Sequence, residues 1–318
     1  MIKVHFLNVG HGDCIVIEFL DSSRTAVIDI NMSEKIDDNS YAELINESVS
    51  LLSPIDQLYH QLSGYSDNQL FEKAGYDISL TNPITYIKNI GVNSVFRFIS
   101  THPHMDHISG LNKLKTEIGI TNFWIIKNSF TQNLNDLSDA QKEDWSLYKK
   151  YRDTAEHQLD GITVVRPQEG TSNQYWNEDK ITILAPNSSL LKIAKDKDNR
   201  NIMSYVLLIE YGGHKIILGG DAEEDTWKYI YETYPALIKN VTILKASHHG
   251  RNSGYYQPAV KQMNPEYTIV SVGKKPATDS SNKYKQYSRN VWSTRWKGNI
   301  WFELNADGTG TYDFEYKR

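Results

Sequence analysis

The sequence predicts an α/β (α+β) protein of four layers: two β-sheets packed face to face with helices on both outer sides, an αββα sandwich carrying helical insertions. Three observations predict it. The chain opens as a β-meander, it divides into two strand-rich halves that each interleave helices, and it ends in a β-hairpin. A sheet buries one face and a helix one stripe, so halves of this kind are satisfied by stacking sheet on sheet with helices outside.

Residues 3–8 and 14–19 read as strands on either side of the glycine-rich turn Val9-Gly10-His11-Gly12-Asp13, and 24–30 reads as a third. From 33 to 91 polar residues with scattered apolar positions predict helices and loops, a first insertion. Asn82 before Pro83 marks a helix start there, because proline has no N–H to leave unsatisfied in a first turn. Residues 95–100 form a short apolar strand that runs into Thr101-His102-Pro103-His104-Met105-Asp106-His107, with a helix expected from 109 to 115. The polar stretch 131–157 is a second insertion, read as a solvated helix pair or a lid. Strands are expected at 162–166, 180–184, 205–211, 215–218, 241–246 and 267–272, and helices at 223–234 and 255–263. The final hairpin joins 298–304 to 310–316 through Asn305-Ala306-Asp307-Gly308, where Asp-Gly supplies the positive φ values of a tight turn. No linker or repeat divides the chain, so 1–318 is read as one domain.

The net charge of −5 gives no molecule-wide attraction for nucleic acid, so a phosphate-bearing substrate would have to be met by a local basic patch or by metal ions. The single cysteine, Cys14, excludes an internal disulfide, and no apolar stretch approaches the roughly 20 residues that span a bilayer. The first residues alternate like a strand and carry no secretory apolar block. A cytoplasmic setting without a membrane partner is expected.

The segment from His102 to His107 places three imidazoles and a carboxylate within six positions, directly after an apolar strand. Imidazole and carboxylate suit zinc, manganese or iron, and residues two apart on an extended loop can converge on one cation while the next pair turns toward a second. The pattern HxHxDH resembles the signature of the metallo-β-lactamase superfamily. That resemblance implies two divalent ions, zinc or manganese, held by His102, His104, Asp106, His107, a bridging Asp221 in Leu218-Gly219-Gly220-Asp221, and a histidine of Ser247-His248-His249-Gly250. His248 is the preferred ligand, with His249 the alternative or a donor to a substrate oxygen. Asp29, after the third strand, is implied to orient the first histidines from behind. Read without the family, Asp29 is a turn residue and Asp221 a helix N-cap.

Within the superfamily the similarity is to the soluble hydrolase domain of bacterial competence DNA-uptake proteins and its free-standing relatives. It is carried by the segment Phe6 to Cys14, by Asn201-Ile202-Met203-Ser204 leading to Gly219-Gly220-Asp221, and by Lys245 to Gly250. The further metal-binding histidine of the wider superfamily has only His157 and His214 as candidates. The stretch Asn201 to Ser204 stands in its place, which implies one weaker, water-completed site or a preference for a harder ion such as manganese. His11 and Asp13 could approach substrate from their glycine-bounded loop or be plain turn residues, and Lys245, Arg251 and Asn252 could meet a phosphate. The implied activity is hydrolysis of a phosphodiester, in nucleic acid or a nucleotide, with Asp106 and His249 as catalytic groups around a metal-activated hydroxide. Hydrolysis of an ester, thioester, lactone or β-lactam carbonyl is the alternative, and a non-catalytic metal-stabilised interaction protein a third.

Overall fold

The computed structural model describes residues 1–33, 36, 38–74, 79–271 and 280–315. Strands β1 (Ile2–Phe6), β2 (Ile15–Phe19) and β3 (Arg24–Ile28) form the expected meander. Helices α1 (Asp38–Leu51), α2 (Pro54–Ser63), α3 (Asp67–Ala74) and α4 (Pro83–Asn89) occupy the first predicted insertion. The start of α4 is set as its sequence requires: Asn82 Oδ1 accepts from the amides of Ile84 and Thr85, and Pro83 takes the first position. Strand β4 (Val95–Ile99) follows, then the 3-10 turn Met105–His107, the short helix α5 (Leu111–Lys113), which relaxes into a π turn at Leu114–Ile118, and β5 (Ile120–Trp124).

The second insertion is α6 (Asp139–Asp153), closed by β6 (Gln158–Leu159) against β7 (Ile162–Val165). The remaining elements are α7 (Gln174–Glu178), β8 (Ile181–Ala185), α8 (Ser188–Asp196), β9 (Val206–Tyr211), β10 (His214–Leu218), α9 (Glu224–Thr233), β11 (Ile243–Lys245), α10 (Gln257–Met263), β12 (Tyr267–Val270), α11 (Ser281–Tyr284), β13 (Asn290–Ser293), α12 (Thr294–Lys297), β14 (Ile300–Leu304) and β15 (Gly310–Phe314). Strands β5, β6 and β13 and helices α7, α8, α11 and α12 lie beyond the sequence reading; Val272 and Tyr316, predicted strand ends, lie outside the described residues.

These strands make two sheets, in the order β15-β14-β1-β2-β3-β4-β5-β7-β6 and β13-β12-β11-β10-β9-β8. Side chains alternate as a two-residue period demands: Ile15, Ile17, Ala26 and Ile28 face the second sheet and share a core with Leu207, Ile217 and Leu244, while Val16 and Val27 face the opposite way onto Ile84, Ile87 and Leu111. Helices α9 and α10 cover the second sheet through Trp227, Ile230, Val260 and Met263. The four layers are therefore those the sequence predicts.

Topology aims everything at one end. Strands β3, β4, β5 and β7 run parallel, as do β10, β11, β12 and β13. The loops leaving β3, β4, β10 and β11 all emerge from carboxyl ends, where open α/β sheets place their sites. Because β1 and β3 are each antiparallel to β2, the β1–β2 turn reaches the same end.

The second insertion is neither a solvated pair nor a lid. Trp145, Tyr148 and Tyr151 of α6 are buried on the first sheet's outer core. Buried Asp144 accepts the amide hydrogens of Gly110 (2.7 Å) and Asn112 (2.8 Å), pinning α6 to the helix start just after the histidine motif. Replacing Asp144 with Ala strands both donors, and the cost expected is about 2–4 kcal/mol. Asp144→Asn, which keeps an acceptor, should lose less; chemical unfolding of the two variants checks this, and an unchanged Asp144→Ala would mean that α6 moves freely.

Candidate metal centre

The side chains of the cluster stand one to eight residues past a strand end. Asp29 follows β3 and adopts a left-handed backbone (φ 55°), while its amide continues the ladder to the Ile99 carbonyl at 2.9 Å. Its buried carboxylate accepts from Thr101 N (2.7 Å), Thr101 Oγ1 (2.7 Å) and His107 Nδ1 (2.7 Å). The His107 ring is thereby fixed with Nδ1 protonated, leaving Nε2 free and directed at Asp221 Oδ1, 3.4 Å away. Since the Thr101 hydroxyl donates to Asp29, its lone pair faces His102 Nδ1 at 3.0 Å, which leaves His102 Nε2 pointing at Asp221 Oδ2 (3.6 Å) and His104 Nδ1 (2.8 Å).

Asp221 ends the Gly219-Gly220 turn after β10. It does not cap α9, whose N-cap is Glu223, and its amide donates to Ser204 Oγ at 3.2 Å. Gly220, with φ 48°, lies so close to Thr101 that a Cβ there would sit 2.9 Å from the Thr101 side chain, so only glycine lets the two motif loops meet.

After β11, His248 and His249 both take left-handed conformations (φ 50° and 53°), which are costly for residues with a side chain and characteristic of functional turns. The twist separates their roles. His249 is buried, with Nε2 3.3 Å from Asp106 Oδ2 and 3.5 Å from Asp221 Oδ2, and neither of its ring nitrogens has a hydrogen-bond partner. His248 is already engaged: Nδ1 meets Ser253 Oγ (2.7 Å) and Glu223 Oε1 (3.2 Å), Nε2 meets Arg251 Nη1 (3.2 Å), and Asp221 is 3.8 Å off. The geometry thus favours His249 over His248 as a ligand, the reverse of the sequence preference.

The first turn joins the site through Asp13 and His11. The Asp13 amide donates to the Asp106 carbonyl, and a Cβ on Gly12 would lie 2.5 Å from that same oxygen. Asp13 Oδ1 stands 3.6 Å behind His249 Nδ1, and its Oδ2 accepts from Lys245 Nζ at 2.8 Å. Lys245 is completely buried, so it holds Asp13 from beneath and does not reach a phosphate, against the sequence reading. His11 Nε2 lies 3.5 Å from Asp106 Oδ2 and 3.1 Å from Arg251 Nη2.

The ligand atoms fall into three overlapping sets, His102 with His104 and Asp221, Asp13 with His107, Asp221 and His249, and His11 with Asp106 and His249, each set within 4.8 Å. His107 Nε2, His249 Nε2 and Asp221 Oδ1 are buried without partners, which native interiors rarely tolerate unless something else satisfies them. Imidazole nitrogen and carboxylate oxygen are the donors that zinc and manganese accept, so these residues fit a pair of divalent ions. Of the expected third histidine, His157 is exposed and His214 lies against Thr309, away from the cluster. Asn201 instead presents a buried, unpartnered Oδ1 while its Nδ2 donates to Glu223. Glu223 and Arg200 escaped the sequence reading; their only signal is adjacency, two residues after Asp221 and one before Asn201.

Charge explains how the cluster behaves without ions. Asp13 is answered by Lys245, but among the described residues Asp29, Asp106 and Asp221 share no buried permanent cation. Burial opposes charge on His107, yet Asp221, Asp29 and Asp106 outweigh it and push its pKa well above the usual histidine range; for His249 burial is likewise outweighed, by Asp221 first, to about 9. Burial lowers His104 and His11 to about 4, so both are neutral near pH 7. Loading ions at pH 7 should therefore expel on the order of two protons, from His107 and His249. Calorimetry in buffers of different ionisation enthalpy measures this, and no proton release would contradict it. A raised histidine stabilises the fold below its unfolded value near 6.5 and loses that contribution as pH climbs through its folded value. The ion-free chain should accordingly lose melting temperature between about pH 6.5 and 9, while the loaded chain gains from about pH 5 to 7 as protons stop competing.

A two-sheet sandwich that brings HxHxDH, a strand-terminal Gly-Gly-Asp and a Ser-His-His-Gly turn to one end has the metallo-β-lactamase fold. No known family profile matches the chain. It is similar to ComE operon protein 3 of Bacillus subtilis (strain 168), 24% identical over 234 residues that make up 74% of this chain and 26% of that protein, so it spans about a quarter of that relative's length. Among solved structures it is similar to Igni18, a metallo hydrolase from the hyperthermophilic archaeon Ignicoccus hospitalis KIN4/I (TM-score 0.48, 14% identity, 99% of this chain and 100% of that one). It is also similar to CmlA, a diiron β-hydroxylase from Streptomyces venezuelae (0.43, 10%, 91% and 53%), and to yeast PDE1 (0.41, 12%, 92% and 98%). Among the described residues no helix is long and apolar enough to cross a membrane.

Proposed function

We propose that the chain is a metal-dependent hydrolase of phosphodiesters, acting on nucleic acid or a nucleotide with two divalent ions, zinc or manganese. The observation that carries the phosphodiester reading is a pair of guanidinium groups flanking the donor cluster. Arg251 bridges His11 and His248 on one side, and Arg200 reaches the Pro103 carbonyl between His102 and His104 on the other. Planar, permanently charged groups of this kind suit the non-bridging oxygens of a phosphate, whereas the scissile carbonyl of an ester, thioester or lactone carries no charge for them to meet.

His102, His104, Asp106, His107, Asp221 and His249 would hold the ions. When bound, such ions supply a nucleophilic hydroxide near neutral pH and neutralise charge on the phosphoryl oxygens. The chain's own residues do the rest. Asp29 and Asp13 hold His107 and His249 from behind, and Asp106, the one partly exposed carboxylate of the four, can accept a hydrogen bond from the attacking water. Arg251 and Arg200 hold the phosphate in line. The water oxygen bonds to phosphorus as its proton passes to solvent, the opposite phosphorus–oxygen bond breaks, and the departing oxygen takes a proton from solvent.

Metal-stripped protein resupplied with manganese or zinc should hydrolyse bis-p-nitrophenyl phosphate, and Arg251→Ala should lose about 10- to 100-fold in kcat/KM, one to two charge-assisted hydrogen bonds' worth. Turnover of p-nitrophenyl esters or a chromogenic β-lactam with none of the phosphodiester would overturn the phosphate reading in favour of a carbonyl one.

A further inference from the structure

Two clefts share Thr131 as a wall. The first, about 480 Å³, is lined by Lys127, Lys192, Lys195 and Arg200 with Asp198 as its acid. The second, about 500 Å³, is lined by Lys142, Lys149 and Lys150 with Asp153 as its acid. Seven cations line the two clefts against two carboxylates, on a chain whose net charge is −5. Asp153 of the second cleft, held below its ordinary value chiefly by its hydrogen bond with Arg152, also feels Lys149 of the same cleft and Lys127 of the first.

Local structure builds the track. Lys142, Trp145, Ser146, Lys149 and Asp153 recur at helical spacing along one face of α6, and Lys192 and Lys195 stand three apart on α8. Between the helices lies the loop after β5, where Arg200 stacks over Phe130, donates to Gln132 Oε1 at 3.0 Å and bonds the Thr131 carbonyl. Arg200 also joins the track to the metal centre through Pro103. Lys142, Lys150 and Lys192 are paired with Asp139, Asp160 and Asp196, whereas Lys127, Lys149 and Lys195 make no ion pair among the described residues.

We infer that the two clefts form one anion track that seats the backbone of a single nucleic-acid strand and leads it to the metal centre. The inference rests on the phosphodiesterase reading and narrows its substrate from any phosphodiester to an extended strand. A mononucleotide would fill one cleft and leave the other's lysines unused. A duplex is rigid and wide, and the cations here line recesses, the arrangement that follows one flexible backbone.

The test is fluorescence anisotropy with the full, metal-loaded chain and a phosphorothioate-linked, hydrolysis-resistant twelve-residue oligothymidylate. Combined Lys127→Ala, Lys149→Ala and Lys195→Ala should weaken binding on the order of 10- to 100-fold and reduce the slope of log affinity against log salt by about 2, because each lost lysine releases fewer counterions. The matching triple Lys→Arg variant should retain parental affinity, and melting curves of both variants should overlay the parent's, which separates lost contacts from lost folding. Equal affinity for the triple alanine variant, equal affinity for a dinucleotide, or tighter binding of a duplex would overturn the inference. Binding is read separately from hydrolysis: a strand bound through these lysines by protein that cleaves no phosphodiester would sink the activity and sustain the track.

Discussion

The Asp29 carboxylate is the constraint on which the rest of the site depends. It takes the Thr101 amide, the Thr101 hydroxyl and the His107 ring, so one buried group at the end of β3 fixes the path of the chain leaving β4 and the orientation of a metal-facing imidazole. Through Thr101 it also sets the tautomer of His102, and Thr101 in turn packs against Gly220 beside Asp221. Loops from both sheets are thus registered to a single carboxylate. Asp13 repeats the device more loosely on the opposite side, standing behind His249 and held by Lys245.

The arrangement is costly. Several kcal/mol oppose each ion taken out of water, and left-handed backbone at Asp29, His248 and His249 adds about 1–3 kcal/mol apiece. What offsets this is the sandwich below: the two sheets bury an apolar core, and the outer helices bury a second beneath the motif strands. Strain is confined to strand ends, where β3, β4, β10 and β11 are already rigid and the side chains need no further ordering to converge. Divalent ions would remove the remaining opposition by satisfying the orphaned nitrogens and oxygens with positive charge.

Much of this was legible in the sequence because it is local. HxHxDH, Gly-Gly-Asp and Ser-His-His-Gly each follow an apolar strand, and strand-end position alone places Asp29, His102 and Asp221 at one edge. The choice between His248 and His249 was not legible, because it turns on two left-handed residues that no spacing announces. Lys245 could have been read correctly: a lysine inside the apolar run of β11 has to point into the fold and find a carboxylate. Strand β5 ends in the apolar Phe123-Trp124, and α8 carries an Asn187 cap before Leu190 and Ala194, so the sequence signals both. Strand β13 is polar and half-buried throughout, and only its pairing with β12 makes it a strand. The basic track joins residues some seventy positions apart in the sequence, so only the fold reveals it.

The central claim is that this cluster holds two divalent ions with His249 among their ligands. Metal content by inductively coupled plasma mass spectrometry, on the parent chain and on His249→Ala and His248→Ala, tests it most directly. The account predicts two equivalents of zinc or manganese in the parent, at most one in His249→Ala, and retention of both in His248→Ala. A parent chain that takes up no stoichiometric metal, or loss from His248→Ala with retention in His249→Ala, would contradict it.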